Sequence, residues 1–258
     1  MAIAKDPAKN ASLLREMSFL QHLEELRGVL IRSAVALVAA TVVCWFFSAR
    51  LVDLLVGDLP VDHLNFFAPA EAFMVRLKVS LVTGAMAAFP YVIYQVWSFV
   101  SPGLFAGERK RVYPVVVTAT VLFYVGVAFC YLVLIPLVLD FLLGFGTDKV
   151  MPLLSVSAYF AMVARLCFTF GLVFQLPIVV FVLSLTGLVT PSLLLRQWRW
   201  AVLIVFVVAA ILTPPDPASQ VLMAVPVLLL YIGSVFVAHV ALKRRRDGAA
   251  TPENGRDG

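Results

Sequence analysis

Two glutamates, each in basic surroundings, are the residues of this 258-residue chain best suited to bind a charged ligand. Glu25 has no lysine or arginine three or four residues away on a helix, whereas Glu24 can pair with Arg27. Glu108 is the one acid in a short segment that is otherwise cationic. An unpaired carboxylate beside a membrane can accept an incoming cation. A solvated surface acid at Glu25 and an incidental acid at Glu108 are the alternatives that these residues leave open.

Four further polar residues lie in or beside apolar runs, where polar groups are costly and therefore informative. Gln175 is expected to make a hydrogen bond between helices. Asp216, which Pro217 follows, is typical of a helix N-cap. Glu71 is expected to open a helix and to complement its macrodipole. Arg165, about 10 Å from one end of a span by helical rise, can extend its side chain towards the membrane surface.

The composition indicates whether these residues lie in a water-soluble protein or in a membrane protein. The chain is 62% hydrophobic and 14% charged, against about 45–50% and about 25% in soluble proteins. The net charge of +5 does not indicate nucleic-acid binding, because the basic residues stand at the ends of apolar runs. The three cysteines and three histidines have no metal-ligand spacing, and no nucleotide-binding or hydrolase motif occurs. We therefore expect a multi-pass membrane protein without a cofactor.

The apolar runs predict an all-α fold of six membrane spans, since about 20 apolar residues cross a bilayer. The fifth and sixth helices are predicted to be short. An amphipathic stretch before the first span is expected to lie along the interface or to continue that span. The predicted spans are Val29 to Ala49, Val79 to Phe99, Val112 to Val138, Ala158 to Leu185, Trp198 to Leu212 and Gln220 to Leu242.

Fifteen of the 20 lysines and arginines fall on one side of these six spans, so both termini are predicted to be cytoplasmic. We expect a mobile N-terminal segment over residues 1–17, a membrane domain over 18–242 and a basic, disordered tail over 243–258.

Taken in order, these elements resemble the TatC family, the polytopic signal-peptide receptor subunit of the twin-arginine protein translocase. The resemblance covers about residues 18–240. A single run such as TPPD is a weak signal, but the ordered combination is specific. The matching runs include HLEELR (22–27), PAEAF (69–73), YQVWSF (94–99), PGL (102–104), FGLVFQLP (170–177) and LTPPD (212–216).

The resemblance implies a receptor, not an enzyme, that exports folded proteins carrying an Arg-Arg signal peptide independently of the Sec route. It implies the bacterial cytoplasmic membrane as the location and proton motive force as the energy source. It also implies an oligomeric assembly with single-span TatA- and TatB-type subunits, and neither a nucleotide nor a metal cofactor.

The resemblance further assigns residues to the signal-peptide site. Two acids would contact the twin arginines, because guanidinium pairs with carboxylate through two parallel hydrogen bonds that lysine cannot reproduce. A basic residue of HLEELR would orient its acidic neighbours. The site residues implied in this way are Glu25, Glu108, Arg27, Phe99, Leu104 and Arg109.

Two polar residues match family positions deeper in the molecule, namely Asp216 near the outer cap and Gln175 near the inner cavity. Many relatives have Glu where this chain has Gln175, which argues against an obligatory buried charge there. A second hypothesis is a secondary transporter with Arg165, Gln175 and Asp216 along a small-solute path, although it leaves the motifs of the predicted cytoplasmic side unexplained.

Overall fold

The protein is helical throughout the parts that its structure, a computed structural model, describes. Those parts are residues 7–57, 68–104, 112–144, 155–212 and 217–249, and they contain no β-strand. The predicted all-α fold is therefore confirmed. The helices are α1 (Pro7–Gly57), α2 (Glu71–Leu104), α3 (Val112–Phe129), a π-helical turn (Cys130–Leu134), α4 (Ile135–Leu143), α5 (Val156–Val173), α6 (Leu176–Thr186), α7 (Pro191–Arg196), α8 (Trp198–Leu212) and α9 (Pro217–Ala249).

Helix α1 contains both the amphipathic stretch and the first span. Its 51 residues extend about 76 Å at 1.5 Å per residue, more than twice the hydrocarbon thickness of about 30 Å. The stretch therefore continues the first span rather than forming a separate interfacial helix. Helix α1 begins before residue 18 and α9 ends after residue 242, while the predicted mobility of both termini stays a prediction.

The third and fourth spans each contain an irregular turn beside a proline. The π-helical turn Cys130–Leu134 lies immediately before α4, whose second residue is Pro136. The break between α5 and α6 at Phe174 and Gln175 likewise precedes Pro177. Proline has no N–H to donate and its ring crowds the preceding turn, so the backbone widens or breaks there.

The last two spans differ from each other in length. Helix α8 has 15 residues, about 22 Å, so the predicted short fifth helix is confirmed. Helix α9 has 33 residues and contains a 27-residue span from Pro217 to Lys243, so the predicted short sixth helix is wrong. Pro226 lies inside α9 without ending it.

The core lies around α5, which contacts α2, α3, the π-helical turn and α8. Phe123, Phe160 and Phe170 are almost fully buried there. A Cβ atom on Gly171 would lie 2.5 Å from the Phe123 ring, so this glycine lets an aromatic ring rest on the helix backbone. The outward face of α1 is exposed and apolar, and Phe46 is 77% exposed. A bilayer is the solvent that such a face requires.

Helices α1 and α2 form a closely packed hairpin. A Cβ atom on Gly84 of α2 would lie 2.6 Å from the Cα atom of Thr41 on α1. The Thr41 hydroxyl donates to the Leu37 carbonyl within its own helix (2.8 Å), so it needs no partner across the contact. Small residues at such crossings let two backbones approach, which is a main source of helix association in lipid.

Gly84→Ala is expected to destabilise the protein, although alanine is intrinsically the better helix former by about 1 kcal/mol. The added methyl group meets backbone, which cannot move aside, and overpacking of this kind costs about 1–3 kcal/mol. The measurement is the Tm of thermal unfolding in micelles, which should fall by about 2–4 °C per kcal/mol.

The matched control is Gly233→Ala on α9, because a Cβ atom at Gly233 meets nothing within 4 Å. Its Tm should equal or exceed that of the wild type. A Gly84→Ala protein as stable as the control would contradict the close packing of α1 on α2.

Candidate functional site

One end of the α1–α2 hairpin brings together three residues of the predicted signal-peptide region. The imidazole ring of His22 on α1 stacks on the Phe99 ring of α2, with the ring centroids 4.3 Å apart and the planes 16° apart. The His22 Nδ1 atom lies 3.8 Å from the Glu25 Oε2 atom. We call His22, Glu25 and Phe99 the recognition end. The stack joins the helix that carries the acid to the helix that carries the aromatic ring.

Glu25 remains accessible although it has this neighbour. The side chains of Glu25 and His22 are each 59% exposed, so one face of the carboxylate is open to a ligand. Within the described residues, Arg27 forms no ion pair with Glu24 or Glu25, since neither acid lies within 4.0 Å of it. The described neighbour of the Glu25 carboxylate is His22, and the orienting role of Arg27 stays a prediction.

Trp97 anchors the C-terminal part of α2 from the opposite side. It is buried in a cluster with Val116 of α3 and Val182 of α6, two residues before Phe99. Its indole Nε1 has no hydrogen-bond partner among the described residues. Residues two apart point to different sides of a helix, so Trp97 faces the bundle while Phe99 faces α1. This packing holds the Phe99 ring in place beneath His22.

Other residues predicted for this site lie wholly or partly outside the described part of the chain. Leu104 is the last residue of α2, but its side chain is not described. Glu108 and Arg109 belong to residues 105–111, and Asp216 belongs to residues 213–216, all of which are outside the described ranges. Their roles stay predictions.

Glu71 lies at the opposite end of α2 and connects two helix N-termini. It begins α2, as expected, and its Oε1 atom accepts hydrogen bonds from the Ser155 hydroxyl (2.6 Å) and the Ser157 N–H (3.0 Å). Ser155 is the N-cap of α5, and its hydroxyl accepts from the Ala158 N–H. One carboxylate thus complements the positive ends of two helix dipoles. We call Glu71, Ser155 and Ser157 the Glu71 end.

An arginine ties α1 to α2 near the Glu71 end. The Arg76 Nε atom donates to the Ser48 hydroxyl (3.0 Å), which itself donates to the Trp45 carbonyl (2.7 Å). The guanidinium carbon lies 5.4 Å from the centroid of the Trp45 ring, a cation–π distance. The Phe73 ring meets Trp45 edge-on. The hairpin is therefore fastened at both ends.

Gln175 lies at the break between α5 and α6 and makes the interhelical hydrogen bond expected of it. Its Nε2 atom donates to the carbonyls of Ala119 on α3 (3.1 Å) and Gly171 on α5 (3.3 Å). The residue is 9% exposed, and its Oε1 atom has no partner among the described residues. The amide serves as a donor to two backbone oxygens, which an ionised glutamate cannot do.

The described residues contain no group of three or more His, Cys, Asp or Glu side chains that could hold a metal ion. Cys130 and Cys167 are buried free thiols in the same hydrophobic cluster, on the third and fourth spans. They pack as small apolar groups.

The contribution of His22 was missed by the sequence analysis. The signal was present, because His22 lies three residues before Glu25, on the same helix face. Only lysine and arginine were considered as partners of the acid. The stack of His22 on Phe99 joins residues 77 positions apart, and no local pattern reports such a contact.

Comparison with known proteins decides the family. A model of the family described as Sec-independent protein translocase protein (TatC) matches residues 21–226. The chain belongs to the TatC family. It is 38% identical over 232 residues to the TatC protein of Desulforapulum autotrophicum, which covers 88% of this chain and 86% of that protein. It is 35% identical over 237 residues to that of Aquifex aeolicus, which covers 90% of this chain and 98% of that protein.

A solved structure gives the same assignment. The crystal structure named Twin Arginine Translocase Receptor TatC matches with a TM-score of 0.79 at 36% identity, covering 85% of this chain and 99% of that one. The TatC fold predicted from the ordered runs is thus confirmed, and the comparisons do not support the small-solute transporter. Together with five helices long and apolar enough to span a membrane in the described residues, family membership makes this a multi-pass TatC protein of the cytoplasmic membrane.

Glu71→Ala is expected to destabilise the junction of α2 with α5. The substitution removes an acceptor from the Ser155 hydroxyl and from the Ser157 N–H, and a lost partner of this kind costs about 1–3 kcal/mol. The Tm in micelles should fall, and hydrogen exchange in the first turn of α5 should accelerate. Glu71→Gln, which keeps an oxygen acceptor, should lie between the variant and the wild type.

Asp53→Ala is the control, since Asp53 is an exposed acid near the end of α1. It should leave both measurements unchanged. Equal behaviour of Glu71→Ala and Asp53→Ala would show that the carboxylate does not cap α5.

Proposed function

We propose that this TatC protein binds the Arg-Arg segment of signal peptides at its recognition end, as a subunit of the Sec-independent protein translocase. The observation that carries the proposal is the exposed Glu25 carboxylate, held next to His22 while His22 stacks on Phe99. The family name states the translocase role of its members.

Glu25 has the chemistry that an incoming guanidinium needs. A carboxylate accepts two parallel hydrogen bonds from arginine, and the planar fork matches its geometry. His22 approaches from one side at 3.8 Å, which leaves the other side of the carboxylate open to the peptide. Phe99 is half-buried, and its ring offers an apolar surface to the residues that flank the arginines.

Glu108 is proposed to receive the second arginine. It lies four positions after Leu104, the last residue of α2, and four residues of chain span at most about 14 Å. Consecutive side chains of an extended peptide point in opposite directions. Two acids on different segments therefore suit two adjacent arginines better than one acid would. Arg27, Leu104 and Arg109 are proposed to line the same surface.

The partners are proposed from the chemistry of the membrane surface. The apolar outward faces of α1 and α9 are exposed, and single-span TatA- and TatB-type subunits would pack on such faces within the bilayer. We propose an oligomeric assembly powered by proton motive force, without nucleotide or metal cofactor and without enzymatic activity.

Asp216 is proposed to act near the outer cap. Gln175, whose amide donates to two backbone carbonyls, is proposed to hold the helices together rather than to contact cargo.

The double variant Glu25→Gln with Glu108→Gln is expected to weaken binding of an Arg-Arg signal peptide by about tenfold or more. The neutral amides keep the size of the side chains but lose the charge-assisted hydrogen bonds, each of which contributes about 1.5–3 kcal/mol. The measurement is a titration of the full chain in nanodiscs with a fluorescent signal peptide, in its Arg-Arg and Lys-Lys forms.

Glu24→Gln is the matched control, because Glu24 is an exposed acid beside Glu25 on the same helix. It should bind the Arg-Arg peptide as the wild type does, and the wild type should prefer Arg-Arg to Lys-Lys. If the double variant kept full affinity while retaining the wild-type Tm, the assignment of the two acids would be wrong.

A further inference from the structure

An apolar groove opens between the fourth, fifth and sixth spans. Its volume is about 260 Å³, and the short fifth span, α8, forms one wall. Eleven residues of α5, α6, α8 and α9 line it, and Thr169 is the only one with a polar side chain. They include Thr169 and Leu172 of α5 and Val208 of α8.

Arg165 lies directly above this groove on α5. It is four residues before Thr169 and seven before Leu172, so the three share one helix face. Its side chain is exposed. Within the described part of the chain it makes no hydrogen bond or ion pair. The cation has therefore no protein counterion among those residues.

The position of Arg165 in the span makes this lack of a partner costly. It follows Val156, the first residue of the span, by nine residues, about 14 Å of helix. A charged group at such a depth requires a pairing partner or access to the interface. Side chains on a helix lean towards its N-terminus, which for α5 is the Glu71 end. The guanidinium is thus aimed towards the lipid headgroups on that side.

The short helix beside the groove brings those headgroups closer. Helix α8 covers about 22 Å, which is less than the hydrocarbon thickness of about 30 Å. A short apolar helix is accommodated by local thinning of the bilayer. Thinning beside α8 lowers the phosphate groups towards Arg165.

We propose that Arg165 and the groove together bind one phospholipid, with its phosphate on the Arg165 guanidinium and one acyl chain in the groove between α5, α6, α8 and α9. The site matches the ligand in both charge and polarity: a cation faces the anionic group, and an apolar channel faces the alkyl chain. Arginine donates two parallel hydrogen bonds to phosphate. An alkyl chain is narrow and flexible enough to enter such a groove, and ten of the eleven lining residues offer it apolar side chains.

This phospholipid site is independent of the signal-peptide site. It lies on α5, α6, α8 and α9, whereas the described residues of the recognition end lie on α1 and α2. Failure of either proposal would leave the other standing.

The test is photolabelling of the full chain in nanodiscs. One probe is phosphatidylglycerol with a photoreactive diazirine in one acyl chain. The second is diacylglycerol with the same chain but no phosphate. Labelled peptides are located by mass spectrometry. The phosphatidylglycerol probe should label groove residues preferentially, and Arg165→Gln should lower that labelling about tenfold, to the level of the diacylglycerol probe.

Two matched controls separate the proposed contacts from general changes. Arg50→Gln removes an exposed arginine of α1, which does not line the groove, and should leave labelling unchanged. Val208→Trp fills the groove and should abolish preferential labelling. Val207→Trp adds the same ring to an exposed neighbour on α8 that does not line the groove, and should not.

Several outcomes would overturn the proposal. These are even labelling of all exposed apolar faces, equal labelling by the two probes, or equal effects of Arg165→Gln and Arg50→Gln. Weak groove labelling by both lipids, together with cross-links from the groove to a second copy of the chain or to a single-span helix, would assign the groove to a protein occupant instead.

Discussion

The close approach of α1 and α2 at Gly84 is the contact on which the described site depends. The backbones of α1 and α2 can approach this closely only because Gly84 has no side chain, since a Cβ atom there would collide with the backbone of Thr41. The crossing sets the spacing of the hairpin along its whole length. At one end it lets His22 reach Phe99, and near the other it lets Arg76 reach Ser48 and the Trp45 ring. The recognition end is thus a consequence of packing in the middle of the membrane.

Charges are few in this protein, and the described ones are used in distinct ways. Glu71 accepts hydrogen bonds at the start of α5 and is structural. Glu25 has only a histidine at 3.8 Å and is otherwise open, which suits reversible binding of a cation. Arg165 faces the membrane beside an apolar groove. The three groups differ in their surroundings. Glu71 has hydrogen-bond partners on a neighbouring helix and stabilises the fold. Glu25 has no such partner and remains available to a ligand.

Prolines and the short helix shape the side of the bundle away from the hairpin. Pro136 and Pro177 coincide with the π-helical turn and with the break at Gln175, where the Gln175 amide bonds the carbonyls of two helices. Pro226 leaves α9 continuous. The same residue type therefore has different effects at different positions of the bundle. The groove next to α8 is lined by residues from the middle of that helix.

The sequence alone determined that the protein lies in a lipid bilayer, that it is helical, where its spans approximately lie and to which family it belongs. Those properties follow from composition, from apolar runs and from short ordered motifs, all of which are local. It also pointed to Glu25, Glu71 and Gln175, because an unpaired acid, a helix-start acid and a buried amide are recognisable from near neighbours. It failed for the length of α9, because an apolar run marks the part of a helix that lies in lipid and not where the helix ends. Only the tertiary structure showed that His22 lies beside Glu25 while stacking on Phe99, that Glu71 caps a second helix, and that Arg165 stands above a groove. These contacts join residues far apart in the chain, and helix packing, not local pattern, decides which of them meet.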